Sequence, residues 1–230
     1  FENKENILRM IDRAADSHPQ LMVLPECVYP AYYISPLIVK NSFEFQKSTL
    51  ELIAEVKKRA QLYKCIIAIG VVETDLDKNI YYNSALLINP EGQEIGHFRK
   101  SYLWHFDSNW FCAGDEYPII ETEFGKIGMF ICADGRLPEI ARCLTLQGAD
   151  ILLDLTNWVT SGFETERLTN PQVDYMIPTR ALENRVWIIA ANKVGMEAKS
   201  ILYCGKSAIF SPDGQIVKMV SPDQEETLFY

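Results

Sequence analysis

The sequence predicts an α/β protein in which mixed sheets are covered by helices. Apolar runs of strand length recur along the chain, two long stretches place apolar residues at helical spacing, and hairpin signatures alternate with strand–helix units. A purely parallel doubly wound sheet would not contain the hairpins.

The elements follow in order. Ile7, Leu8, Ile11 and Ala14/Ala15 recur at helical spacing with charges between them, so residues 3–15 are predicted helical. Residues 21–24 form a short apolar run ended by Pro25, a buried strand with Glu26 directly beyond it. Residues 42–62 read as an amphipathic helix with Leu50, Ile53, Ala54, Val56 and Ala60 inward and Glu51, Glu55, Lys57, Lys58 and Arg59 outward. Residues 65–72 are a second buried strand. Residues 81–89, the turn Pro90-Glu91-Gly92 and residues 94–99 predict a hairpin. Residues 119–123 and 126–132 around Phe124-Gly125 predict another, followed by a helix at 138–147 and a strand at 149–155. A helix at 171–184 carries Pro178, which predicts a kink or break. A strand at 186–192 and a hairpin over 207–220, turning at Ser211-Pro212-Asp213-Gly214, close the chain. No repeat, low-complexity segment or linker divides it, so one domain over residues 1–230 is expected.

Composition narrows the function. With 48% hydrophobic and 23% charged residues, the 230-residue chain has ordinary globular composition. The net charge of −9 disfavours a nucleic-acid surface and favours a small-molecule or protein partner. No run approaches the ~18 apolar residues of a membrane span. Six cysteines at 27, 65, 112, 132, 143 and 204 show no CxxC or CxxH spacing, which suits reduced thiols in a cytoplasm. With three histidines (His18, His97, His105) and no ligand spacing, no metal site is expected.

Cys132 lies where an apolar run, residues 126–132, breaks into Asp134, Gly135 and Pro138 before a helix. There the turn's backbone N–H groups and the positive end of the helix favour a thiolate and supply oxyanion donors, the Ala133 N–H first. The alternative is a buried thiol that only packs, as expected of Cys143 on the helix that follows. Lys100 ends a predicted strand among Phe98, Tyr102, Leu103 and Trp104, either snorkelling past them or acting in a site. Glu26, fixed by Pro25, is either a solvent-facing residue at the sheet edge or a buried site carboxylate. All three lie at strand ends, which gather at one rim in layered α/β folds.

Taken together, these segments resemble the nitrilase superfamily of carbon–nitrogen hydrolases. The matches are LMVLPE (21–26), FRKSYLW (98–104) and GKIGMFICADGRLPE (125–139), supported by ADILLDLTNW (149–158), RALENRVWIIAANKVG (180–195) and SAIFSPDGQI (207–216). The resemblance implies a four-layer α-β-β-α sandwich, with Cys132 as nucleophile, Glu26 as general base and Lys100 stabilising the tetrahedral intermediate. It implies an amidase-type hydrolase acting on a small linear amide without a cofactor, with an N-carbamoyl compound or a nitrile as alternative substrates. It also implies a homodimer or higher homo-oligomer. The family's first strand and C-terminal tail are expected to lie outside this span.

Two departures bear on the site. Where many members carry a second glutamate the matching residue is Asp107, which either serves with a shorter reach or is a plain loop carboxylate. Ala133 stands where an aromatic residue is common, and this widens the wall beside the nucleophile. With these departures a catalytically weak member acting as a binding or scaffold subunit stays open, as does acyl transfer to an amine. Arg136 is read either as an ion-pair partner of Glu139 or Asp134 or as a clamp for a substrate carboxylate. Asn157 and Trp158, just past a strand end, are expected to line the substrate pocket, and Glu183 and Asn184 to hold architecture.

Overall fold

The structure, a computed structural model, describes residues 2–160 and 168–230. Two compact units divide it, residues 1–116 and 117–230.

The N-terminal unit contains, in order, α1 (Glu2–Ala15), β1 (Leu21–Val23), α2 (Pro36–Lys40), α3 (Ser42–Tyr63), β2 (Ile66–Asp75), β3 (Ile80–Ile88), β4 (Glu94–Arg99) and β5 (Phe111–Cys112). A 3-10 turn, His105–Asn109, precedes β5. The sheet order is β1-β2-β3-β4, with β5 pairing parallel to β3. β1 runs parallel to β2, while β2–β3 and β3–β4 are antiparallel. One sheet face, bearing Ile67, Ile69, Val71, Leu86 and Ile88, packs with Ile7 and Ile11 of α1 and Leu52, Val56 and Ala60 of α3. On the other face Ile66, Ala68, Val72, Ala85, Leu87 and Phe98 are also buried. Burial on both faces is why β2 reads as a continuous apolar run instead of an alternating one.

The C-terminal unit contains β6 (Ile119–Thr122), β7 (Gly125–Ile131), α4 (Pro138–Leu146), β8 (Ile151–Leu155), α5 (Ile177–Asn184), β9 (Trp187–Ala191), β10 (Val194–Glu197), β11 (Ile201–Cys204), β12 (Ala208–Phe210) and β13 (Ile216–Met219). Its main sheet has the order β13-β12-β9-β8-β7-β6, parallel through β7-β8-β9 and antiparallel at both edges. β10 and β11 form a separate antiparallel ribbon. Mixed sheets made of hairpins and strand–helix crossovers are the predicted pattern.

Most differences from the sequence reading are local. The inward stripe of α3 is Thr49, Leu52, Val56 and Ala60, whereas Leu50 is 59% exposed and Ala54 is also exposed. Apolar character alone misplaced those two, because Thr49 is buried at helical spacing by bonding its hydroxyl to the Phe45 carbonyl. Cys143 lies exposed on α4 and does not pack in the core. Strand β7 ends at Ile131, so Cys132 opens a 3-10 turn, Cys132–Arg136, instead of closing the strand. The break expected at Pro178 is a π-helical turn, Gln172–Met176, ahead of α5. Proline has no N–H to complete a regular ladder, and the preceding turn widens. The short α2, the His105–Asn109 turn, β5 and the β10–β11 ribbon have too few residues to show a period in the sequence.

Candidate active site

In the N-terminal unit, the chain leaving β1 wraps around one residue of β2. Leu24 N–H donates to the Ala68 carbonyl, Gly70 N–H to the Pro25 carbonyl and Val28 N–H to the Gly70 carbonyl. Gly70 permits this approach, because a Cβ there would sit 2.4 Å from the Pro25 oxygen and 2.7 Å from the Glu26 Cα. Glu26 is thereby fixed at the strand end and fully buried. Its Oε1 accepts from Asn83 Nδ2 at 2.5 Å and from Lys100 Nζ at 2.8 Å. Oε2 has no hydrogen-bond partner in the structure.

Lys100 continues the β3–β4 ladder by one step, its N–H donating to the Asn83 carbonyl at 2.8 Å. Its side chain is 1% exposed, so it does not snorkel to solvent. The ammonium lies between Glu26 and Asp107, 2.6 Å from Asp107 Oδ2, and 5.9 Å from the Tyr32 ring centroid. Asp107, carried by the His105–Asn109 turn and fully buried, also accepts from Tyr32 Oη at 2.5 Å and Trp104 N–H at 3.1 Å. The shorter carboxylate therefore reaches the lysine. Desolvating a cation is costly, and here two carboxylates and an aromatic face offset that cost.

In the C-terminal unit, Cys132 sits at the β7 end with φ +48°, a left-handed conformation that L side chains adopt at a cost. The elbow is bonded through its backbone. Cys132 N–H donates to Asp154 Oδ1 at 3.0 Å, and its carbonyl accepts from Gln172 Nε2 at 2.9 Å. Asp134 Oδ2 accepts from Ile131 N–H, and Arg180 donates to the Gly135 and Arg136 carbonyls. Gly135 is closely packed, since a Cβ there would lie 2.7 Å from Ile177 Cδ1 and 3.0 Å from Phe130, so those side chains would have to shift. With the Cys132 amide taken by Asp154, Ala133 supplies the next N–H along the turn. Cys132 is 9% exposed and Ala133 1%.

Beyond β8, Asn157 and Trp158 are buried, and Asn157 Oδ1 and Nδ2, Trp158 Nε1 and Thr156 Oγ1 have no hydrogen-bond partner in the structure. Arg136 is half-buried at the end of the elbow turn. Glu183 takes an ion pair from Arg180, and Asn184 Nδ2 donates to the Arg180 carbonyl. Among the described residues, no group of three or more His, Cys, Asp or Glu could hold a metal ion. None of the six cysteines forms a disulfide. Burial pushes the Cys65 thiol up to about 11 and the Cys204 thiol up to about 12. No helix among the described residues is long and apolar enough to cross a membrane.

Within the N-terminal unit the structure thus brings Glu26, Lys100 and Asp107 together. Within the C-terminal unit Cys132, Ala133 and Arg136 share one turn, and Asn157 and Trp158 follow the neighbouring strand. Sequence reasoning missed Asn83, Asp154, Gln172 and Tyr32. Asn83 and Asp154 did leave a signal, as each is a polar residue inside a largely apolar strand, and buried polar groups require partners.

The carbon-nitrogen hydrolase profile matches residues 2–230. The chain is 32% identical to a nitrilase of Pyrococcus abyssi over 98% of its own length and 81% of that protein. It is 37% identical to a probable nitrilase of Schizosaccharomyces pombe over 66% of this chain, and that match spans only 53% of the relative's length. A solved carbon-nitrogen hydrolase from Helicobacter pylori G27 matches with TM-score 0.86 at 26% identity, over 97% of this chain and 81% of that one. An amidase from Nesterenkonia sp. AN1 shares the fold, with TM-score 0.84 at 20% identity over 96% of this chain and 84% of that one. The expected nitrilase-type α/β class is therefore the observed one. With the profile spanning nearly its whole length and the sequence match to the archaeal nitrilase running almost end to end, the chain belongs to the carbon-nitrogen hydrolase family.

Proposed function

We propose that the chain is a cysteine-nucleophile hydrolase that converts a small linear amide and water into a carboxylic acid and ammonia. The observation that carries this reading is the buried Glu26–Lys100–Asp107 network, in which one carboxylate oxygen, Glu26 Oε2, has no hydrogen-bond partner in the structure. A carboxylate buried with one bare oxygen is poorly placed for stability and well placed to take a proton.

In the proposed reaction Glu26 removes the thiol proton of Cys132, and the sulfur attacks the amide carbon. Lys100 and the Ala133 N–H hold the resulting oxyanion. Glu26 returns the proton to the nitrogen, the C–N bond breaks, and ammonia leaves a thioester on Cys132. Water, deprotonated by Glu26, then attacks the thioester, and the C–S bond breaks to give the acid and the thiol. Asp107 holds the Lys100 ammonium toward the reacting centre. Asn157, Trp158, Ala133 and Arg136 form the substrate-binding set. The unpartnered amide of Asn157 and indole N–H of Trp158 suit a neutral polar group on the substrate, which fits an ω-amide or N-carbamoyl compound. Xenopus ω-amidases, 26% identical over 94% or more of this chain, support that class. A homodimer and a reducing, cytoplasmic setting for the six thiols complete the proposal.

Ammonia release from an amide panel tests it. Cys132→Ala should abolish release with the fold retained, and Glu26→Gln should lower kcat by about 10²–10⁴-fold. Activity persisting in Cys132→Ala overturns the mechanism. Iodoacetamide at neutral pH should label Cys132 ahead of exposed Cys112 and Cys143, leaving Cys65 and Cys204 protonated and slow. Uniformly slow thiols would instead favour a binding subunit.

A further inference from the structure

We infer that Asn83 is the positioning residue that decides which oxygen of Glu26 acts as the base, an inference that rests on the reading of Glu26 given above. Asn83 lies on β3, opposite Val72 of β2 and on the sheet face away from α1 and α3, and it is fully buried. It touches both members of the Glu26–Lys100 pair. Its side-chain Nδ2 donates to Glu26 Oε1 at 2.5 Å, and its carbonyl accepts the Lys100 N–H at 2.8 Å. Lys100 Nζ then donates to the same Oε1 at 2.8 Å.

Two donors therefore converge on one carboxylate oxygen and none on the other. Lysine alone could not enforce this, because an ammonium on a flexible stem can bridge either oxygen or both. A second donor fixed to a sheet strand holds Oε1 in place, so the carboxylate plane is set and Oε2 is the oxygen that is left to accept a proton. The assignment of the amide follows from chemistry, since only the NH₂ end can face a carboxylate with an attractive contact.

Packing does not account for an asparagine at this site. Its own Oδ1 has no hydrogen-bond partner in the structure, and leaving a buried acceptor unsatisfied is destabilising. The strand neighbours that share its face, Ala85 and Leu87, are apolar and buried. An apolar residue at 83 would satisfy that face without the penalty, so what the amide contributes is the bond to Glu26. The charged groups around Glu26 are Lys100 directly and Asp107 through Lys100, and Asn83 is the neutral member of the set.

A double-mutant cycle on the full chain tests this, using the rate of Cys132 alkylation by iodoacetamide between pH 5 and 9. Asn83→Leu keeps the branched shape and removes the donor, and Asn83→Ser withdraws it with less crowding. Each should slow alkylation about tenfold or more and move the acid limb of the profile to higher pH, because an ionised carboxylate that loses a donor is protonated more readily. In a Glu26→Gln background the same substitutions should change the rate little. An equal effect of Asn83 substitution in both backgrounds, or an unshifted profile in either folded variant, overturns the inference while leaving Glu26 as the base. A wild-type rate in Glu26→Gln alone overturns the underlying reading instead.

Discussion

Glu26 and Cys132 each depend on a polar residue that interrupts a buried strand, Asn83 in β3 and Asp154 in β8, but the two supports work differently. In the N-terminal unit the bonds converge on side chains, from Asn83, Lys100, Tyr32 and the Trp104 N–H onto two buried carboxylates. In the C-terminal unit they run to the backbone of the elbow, at the Cys132 N–H and at the Cys132, Gly135 and Arg136 carbonyls. Position is kept by charge in one region and by a strained main chain in the other. Removing the reactive group should therefore weaken the first and spare, or even relieve, the second.

The largest effect is expected at Lys100. Lys100→Met leaves two buried carboxylates without their shared cation and should cost about 3–5 kcal/mol, read as a lowered denaturant midpoint. A loss below about 1 kcal/mol would mean that charge does not hold this region together. At the elbow the opposite sign is expected. Cys132→Gly and Cys132→Ala both remove the thiol, but glycine accepts φ +48° freely, so the glycine variant should be about 1 kcal/mol more stable than the alanine one. Equal midpoints would show that the elbow stores no strain.

The smallest effect is expected at Glu73, a charged group of the N-terminal unit that lies off the site. Burial alone would raise its pKa, but bonds from His97, Arg99 and Ser84 outweigh that and hold the carboxyl well below the usual range. A depressed carboxyl adds stability above its unfolded value of about 4.3, and that stability is lost as pH falls toward the folded value. The stability difference between wild type and Glu73→Gln, measured by urea unfolding from pH 7 to 3, should shrink on acidification. The side chain is 27% exposed, so solvent screening keeps the difference small. A difference independent of pH would remove Glu73 from the charge-held set.

Much of this was legible in the residues. The order of strands and helices followed from apolar periodicity and turn chemistry, and Glu26, Lys100 and Cys132 each fell at a strand end. Errors arose where a single residue's character was read without its neighbours. Leu50 and Ala54 looked inward by type but face solvent, and Cys143 looked like core but is exposed. The elbow began one residue early because strand pairing, which ends at Ile131 opposite Leu155, is not visible in a linear string.

By itself, then, the sequence determined the segments, their sequence order and the chemical types waiting at their ends, because these depend on residues within a few positions of one another. Tertiary structure alone decided who holds whom. Glu26 meets Asn83 across 57 residues and Lys100 across 74, Tyr32 reaches Asp107 across 75, and Asp154 takes the Cys132 amide across 22. Such contacts are set by sheet register, and a one-residue slip would turn Asn83 to the helix-facing side of its sheet. Asp107 shows the limit most directly: the sequence left its shortened arm ambiguous, and the His105–Asn109 turn brings it to the lysine.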